Sequence, residues 1–328
     1  MIRLVAALGL SLAAAAPAAA DELTRLRVNT FPNAKALPFH AGLAKGFFAR
    51  HGIALDLAFT ENSKAQRDGL AAGRFEVAQS ALDNAVAMIE VARQDVIIVS
   101  GGDGGMNEFF VQGDIASFAD LRGRILVVDA PDTAYALQAK KILLQHGLKE
   151  GSDYTVKPVG AGAFRFKAMQ ESRDNAAAIL NLPFTVQAEA IGLRSLGRTV
   201  DLLGPYQAGG AFVMRDWARQ NGATLERYLA GYVAALRWVR DPANRDEAIG
   251  LLMEKFKLPQ PVAARTYDLL VDPGFGFNVD ARFDPEGFRN LLALRAEIQR
   301  RDEPAVAPEA YVDLSYYGRA LERLDGRR

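Results

Sequence analysis

The feature that most constrains the fold is a repeated exchange of short β-rich runs with helical patterns. "LRVNT" reads as a strand, and the stretch from Leu37 to Gly46 as a short helix. "ALDLAFT" returns to a strand, and "SKAQRDGLAAG" reads as a helix ending at Gly73. "FEVAQS", "ALDNAVAMIEVARQ" and "DVIIVSGG" continue as strand, helix and strand. Units of this length imply a mainly parallel sheet covered by helices. The order restarts after Asp120: "RILVVDA", "YTVKPVG" and "NAAAIL" are strands, each followed by a helical stretch, and the set ends near Arg198.

"TVDLLGPY" and "GAFVMR" then read as two further strands, and from Trp217 onward the pattern is almost wholly helical. In "TLERYLAGYVAALRWVR", Leu225, Leu229, Val233, Leu236 and Val239 make one broad apolar face. One α/β unit is thus interrupted by another and then completed. The expected lobes are residues 21–108 with 207–328, and residues 109–206, with crossings near Phe109–Gln112 and Leu202–Gln207. A length of 328 residues suits two domains of ordinary size. Ligands of open α/β sheets bind beyond the carboxyl ends of the strands, so two such lobes would face each other across a cleft.

The first residues read as a secretion signal: Arg3, the apolar run "LVAALGLSLAAAA", and a small-residue cleavage site after Ala20. Residues 1–20 are therefore expected to be a signal peptide and Asp21 the first mature residue. The run is too short and alanine-rich for a membrane anchor. The chain has no cysteine, which excludes disulfides and a lipid anchor at the cleavage site. A soluble periplasmic monomer is expected. With 39 basic and 39 acidic residues, loss of Arg3 leaves 38 against 39, a net charge of −1 that gives no reason to expect nucleic acid or an anionic membrane as partner.

Reactive chemistry is sparse. Of three histidines, His51 and His146 each precede a glycine at a helix end, where a cation suits the helix dipole. His40 either faces the cleft or is simply a helix residue. There is no HExxH and no GxSxG. "GGDGG", Gly101–Gly105, lacks the dinucleotide and phosphate-loop spacings and reads as permissive backbone that would let a ligand approach. Asp114 and Asp120 read as solvated loop charges. No catalytic residue, metal site or cofactor is expected.

Five stretches in this order carry a resemblance: "ALPFHAGLAKGFFARHGIALDL", "DGLAAGRFEVAQSALDN", "SFADLRGRILVVDAP", "NLPFTVQAEAIGLRSLG" and "YVDLSYYGRALERL". They resemble type II periplasmic substrate-binding proteins of ABC importers, in the branch that binds nitrate, sulfonates, taurine and thiamine precursors. The resemblance implies an α/β fold of two lobes, each a mainly parallel sheet flanked by helices, with a helical C-terminal region. It implies a receptor that delivers a small organic ligand to a permease and its ATPase. In the opening stretch Pro38 suits a first helical turn, Gly46 and Gly52 suit helix ends, and Phe47 and Phe48 are expected in the core.

The same resemblance places ligand-binding candidates in the loops. They are Asn33, Lys35 and Leu37 after the first strand; Glu61, Asn62 and Ser63 after the second; and Ser80, Asp83 and Asn84 after the third. In the second lobe they are Asp132, Thr133 and Tyr135, then Arg165 beside Phe164, then Asn181, Pro183 and Phe184. Ser63 with Gln66 equally forms a capping box, and Ser80 and Asp83 each equally read as a helix cap. The ligand is expected to be an organic acid, sulfonate or polar heteroaromatic, held between Lys35 and Asn84 on one side and Thr133 and Tyr135 on the other. The chain departs from the family where "TENSKAQ" replaces a glycine-rich stretch. Two alternatives remain: an enzyme on the same fold, such as a lyase, a desulfinase or a pyrimidine-precursor enzyme, and a ligand-sensing subunit of a membrane signalling system. The pyrimidine-making relatives use a cysteine cluster that this chain lacks.

Overall fold

The structure, a computed structural model, describes residues 22–300 and 307–326. The expected signal peptide and Asp21 lie outside the described residues. Ten strands form two five-stranded sheets. The first holds β1 (Thr24–Thr30), β2 (Ile53–Phe59), β3 (Val77–Ala81), β4 (Val96–Asp103) and, from much later in the chain, β10 (Gly209–Met214). The second holds β5 (Asn107–Val111), β6 (Arg124–Val128), β7 (Tyr154–Pro158), β8 (Asn175–Asn181) and β9 (Arg194–Arg198). The strand orders are β2-β1-β3-β10-β4 and β7-β6-β8-β5-β9.

The expected two-lobe α/β architecture is therefore present. In each sheet the parallel strands are joined by one antiparallel strand that follows a crossing. β5 runs antiparallel to β8 and β9, and β10 antiparallel to β3 and β4. The first crossing is residues 104–106, earlier than expected, because Phe109–Val111 are already paired in β5. Thr199–Leu203, expected as a strand, is a short helix, and the second crossing follows it at residues 204–208. Short apolar runs carry no period that separates strand from helix.

Period-two burial divides each sheet into two faces. Ile97 and Val99 of β4 enter one core, with the helices Leu37–Ala44, Gly222–Arg240, Arg245–Phe256 and Gln260–Val271. Val96 and Ile98 enter the other, with helices Asp83–Glu90 and Pro285–Ile298. In the second sheet Phe109 and Val111 point one way and Phe110 the other. Of the expected aromatic core pair, Phe48 is buried against Tyr228 and Phe39, whereas Phe47 is half-buried under the Arg50 guanidinium.

The glycines of "GGDGG" serve backbone approach. A Cβ on Gly101 would lie 2.3 Å from the Arg282 carbonyl oxygen, and one on Gly102 would lie 3.1 Å from Gly209. The two crossings thus run side by side, tied by Ala208 N donating to Asp103 O at 3.0 Å. His51 and His146 end their helices as expected. Burial, with Arg323 and Arg50 nearby, pushes the His51 pKa down, so it does not favour the expected cation.

Candidate ligand-binding site

The carboxyl ends of β1, β3, β4, β6 and β8 converge on one cavity of about 70 Å3 between the sheets. β10 runs the other way, so its starting residues Gly209 and Gly210 reach the same edge. Thr30, Phe31, Gln79, Ser80 and Asp103 line the cavity from the first lobe, and Asp129, Thr133, Tyr135, Arg165 and Asn181 from the second. Tyr232 and Phe277 of the late helical region close one side.

Hydrogen bonds from both lobes shut the cleft. Ser63 N donates to Asp129 Oδ2 at 3.0 Å, Ala161 N to Glu61 O at 3.0 Å, and Ala34 N to Leu182 O at 3.1 Å. Arg67 reaches Asp132 at 3.6 Å across the mouth.

Lys35 Nζ is 2.7 Å from Asp103 Oδ1, and it also donates to Gly105 O. Burial alone would lower its pKa, but Asp103 and Tyr135 hold it above the ordinary lysine range. Asp103 Oδ1 also accepts from Gly105 N at 2.8 Å. Arg165 is buried, with Nε donating to Ile179 O at 3.1 Å and Nη1 to Gly160 O at 3.0 Å. Its guanidinium lies 5.3 Å from the Tyr135 ring, and burial lowers its pKa against the opposing pull of Asp129.

Of the expected candidates, Asn33, Lys35, Ser63, Ser80, Thr133, Tyr135, Arg165 and Asn181 are brought together at the cavity. Asn33 Oδ1 caps the 3-10 turn Ala34–Ala36 by accepting from Lys35 N at 3.0 Å. Thr133 Oγ1 donates to Ala130 O at 2.8 Å, just before helix Ala134–Gln145. That helix and Gly162–Glu171 both begin at the cavity, so Ala134, Tyr135, Ala161 and Gly162 line it. Helix N-termini present backbone donors and favour negative or polar acceptor groups.

The other candidates do not line the cavity. Leu37 is wholly buried in the first-lobe core. Glu61 is exposed and contributes its carbonyl to cleft closure. Asn62, rather than Ser63, caps helix Ser63–Ala71, accepting from Ala65 N at 2.8 Å. The expected capping box is absent because Gln66 turns inward, donating to Asn29 Oδ1 at 3.0 Å and accepting from Ser80 Oγ at 2.5 Å. Neither Ser80 nor Asp83 caps its helix. Asp83 is buried in an ion pair with Arg295 and accepts from Tyr206 Oη at 3.0 Å. Asn84 donates to the hydroxyls of Ser63 and Ser80, at 3.4 and 3.5 Å. Asp132 pairs with Arg67, while Pro183 and Phe184 begin helix Phe184–Ala190 behind the cavity wall. His40 lies between Phe59 and Phe256, with ring centroids at 5.9 and 5.4 Å, and does not line the cavity.

Asp103, Asp129 and Tyr232 were not singled out from the sequence. A signal existed for the two aspartates, since each ends or follows a strand on the binding edge. Tyr232 belongs to the long amphipathic helix, and nothing in that pattern marks it.

Against family models, residues 33–240 match the family described as NMT1/THI5 like. The chain belongs to this family. No curated protein matched it by sequence. Among solved structures, this NMT1/THI5-like protein is similar to the ligand-binding component of an ABC-type import system from Staphylococcus aureus, with TM-score 0.74 and 14% identity over 90% of this chain and 99% of that one. It is similar to the periplasmic nitrate-binding protein NrtA from Synechocystis PCC 6803, with TM-score 0.75 and 16% identity over 93% and 90% of the two chains. A desulfurization enzyme, DSZB, is also similar, with TM-score 0.62 and 19% identity over 92% and 99%. At these identities the likeness establishes the shared periplasmic-binding-protein fold. Among the described residues no helix is long and apolar enough to cross a membrane, and no group of His, Cys, Asp and Glu side chains is arranged to hold a metal.

Proposed function

We propose that this protein is a periplasmic solute receptor that encloses a small polar organic molecule between its lobes and delivers it to an ABC import permease. The observation that carries this reading is the cavity at the strand ends, lined from both lobes and shut by hydrogen bonds between them. A cleft of this kind opens to admit its ligand and closes over it. The S. aureus and Synechocystis structures are binding components, the former of an ABC-type importer, which supports the same role. Export follows from the run Met1–Ala20, with Asp21 as the mature start, and the receptor acts as a monomer without a cofactor.

Polar acceptor groups of the ligand face the starts of helices Ala134–Gln145 and Gly162–Glu171, and Tyr135 offers its ring for stacking. Lys35 does not act as a free point charge, because Asp103 neutralises it.

An enzyme is the competing reading, since DSZB has this fold. The hydroxyls at the cavity favour the receptor. Among the serines and threonines, Ser80 Oγ is bonded to Gln66, Ser63 Oγ to Asn84, and Thr30 Oγ1 and Thr133 Oγ1 to carbonyls, so none of these nucleophile types is paired with a general base. The test is incubation of the purified protein with a metabolite extract, desalting, and mass spectrometry of the extract and of whatever is released from the protein. A compound recovered unchanged supports the receptor; conversion of an extract component by the protein overturns it.

A further inference from the structure

The cavity holds two acceptor oxygens that nothing in the protein satisfies. Asp129 is 8% exposed, and its Oδ1 has no hydrogen-bond partner, although Oδ2 accepts from Ser63 N at 3.0 Å. Asn181 is 2% exposed, and its Oδ1 is likewise unpartnered. Both residues line the cavity, Asp129 just after β6 and Asn181 at the end of the neighbouring β8. Buried carboxylate and amide oxygens without donors are costly, so two of them in one cavity wall call for donors supplied from outside the chain.

The cations nearby do not fill that need. Lys35 is bonded to Asp103 Oδ1 and Gly105 O. Arg165 points Nε and Nη1 at the carbonyls of Ile179 and Gly160. Gly162 borders Asn181 so closely that a Cβ there would lie 2.6 Å from Asn181 Oδ1. Gly162 thus keeps side-chain atoms from covering that oxygen.

We propose that Asp129 and Asn181 form an acceptor subsite that reads an N–H group of the ligand, an amine, amide or amidine. The subsite deepens the receptor reading and rests on it. It lies beside the helix starts of the same lobe, which suit acceptor atoms, so the ligand presents an N–H donor close to its acceptor atoms. Because Asp129 also accepts from Ser63 of the other lobe, the donor is held by the same carboxylate that shuts the cleft. Filling the subsite and closing the lobes are then one event.

The test uses matched probes that differ by an amino group: aminomethanesulfonate against methanesulfonate, glycine against acetate, and 2-aminopyridine against pyridine. Binding is measured by titration calorimetry on protein refolded from denaturant, which removes carried-over ligand. In at least one pair the amino member is expected to bind about tenfold or more tightly than its parent, the scale of a hydrogen bond to a charged group. That advantage should vanish in Asp129→Ala and in Asn181→Ala, with each variant's circular dichroism confirming that it is folded. If either variant fails to fold, Gly162→Ala, whose new methyl would crowd Asn181 Oδ1, is expected to erase the advantage instead. Parents that bind as tightly as their amino partners overturn the subsite while leaving a binding protein intact. An amino advantage that survives the substitutions also overturns it, as does a failure of every probe to bind at millimolar concentration. The receptor reading fails on a different result, conversion of a bound compound into product.

Discussion

Lys35 Nζ and Asp103 Oδ1 lie 2.7 Å apart at the floor of the cavity, and the two side chains are only 15% and 6% exposed. One follows the first strand of the chain and the other ends the fourth, so the pair is made by the sheet edge rather than by sequence proximity. Removing one member leaves a buried charge alone. Lys35→Met is expected to cost about 3–5 kcal/mol in urea denaturation, and adding Asp103→Asn should recover much of the loss. A single variant within about 1 kcal/mol of wild type would contradict the buried pair. The folded-state pKa of Lys35 lies above its ordinary 10.5, so the pair's contribution is complete below about pH 10.5 and fades as pH rises through the higher value. The stability difference between wild type and the double variant should shrink in that alkaline range.

His40 supplies a second pH dependence, at the acid end. Burial first, and then Lys255, pushes its pKa from 6.5 to about 4. Between those values the unfolded chain binds a proton that the folded protein resists, so stability falls as pH drops from about 6.5 towards 4. His40→Gln should flatten that part of the curve, followed by thermal melts across the range. An unchanged slope would show that other groups carry the acid response.

Gly231 sits in the middle of helix Gly222–Arg240, where alanine would normally gain about 1 kcal/mol. Here a Cβ would lie 2.8 Å from Phe48 Cδ1 and 3.3 Å from Phe48 Cα, and Gly42 already hems the same ring from the far side. Overpacking of this kind costs roughly 1–3 kcal/mol, so Gly231→Ala should lose the helix-propensity gain and be destabilising by up to about 2 kcal/mol. Gly250, in helix Arg245–Phe256, has open space at its Cβ position and is the control. Gly250→Ala is expected to raise stability by about 1 kcal/mol. Equal effects at both positions in chemical denaturation would argue against the Phe48 contact.

Opening the cleft releases the hydrogen bonds across it, the Lys141–Glu297 pair, and the contacts of Leu137, Leu182 and Val186 with the first-lobe cores. Small-angle scattering should show the protein extended when stripped of ligand and more compact at saturation. A ligand at a hundredfold above its Kd should add about 2.7 kcal/mol to stability. An identical profile with and without a bound ligand would mean a rigid pocket.

The alternation of strands and helices, the interruption of one α/β unit by another, and the loops at the sheet edge were all legible in the linear pattern. These follow from local period and glycine punctuation, which act over a few residues. The pattern did not disclose β5 and β9. "NEFFV" is too short to show a period, and "RSLGR" is an edge strand with only partial burial. Nor did it disclose that Thr199–Leu203 is a helix, because its opening β-branched pair, Thr199 and Val200, favours a strand.

Which loop residues line the cavity was settled by packing. Asn62 and Ser63 are neighbours, yet one caps a helix and the other lines the cavity. Asp83 and Asn84 were equal candidates with Ser80, but Arg295, 212 residues away from Asp83, draws its carboxylate into the core. Lys35 reads as a free cation until Asp103 is placed beside it, 68 residues on. Charge and hydrogen-bond partners are assigned by distance in space, and that distance is set when the two sheets and the late helices pack together. A linear pattern carries the loops to the right edge, but the side chain that remains unpaired there is chosen by the other side chains the fold brings to it.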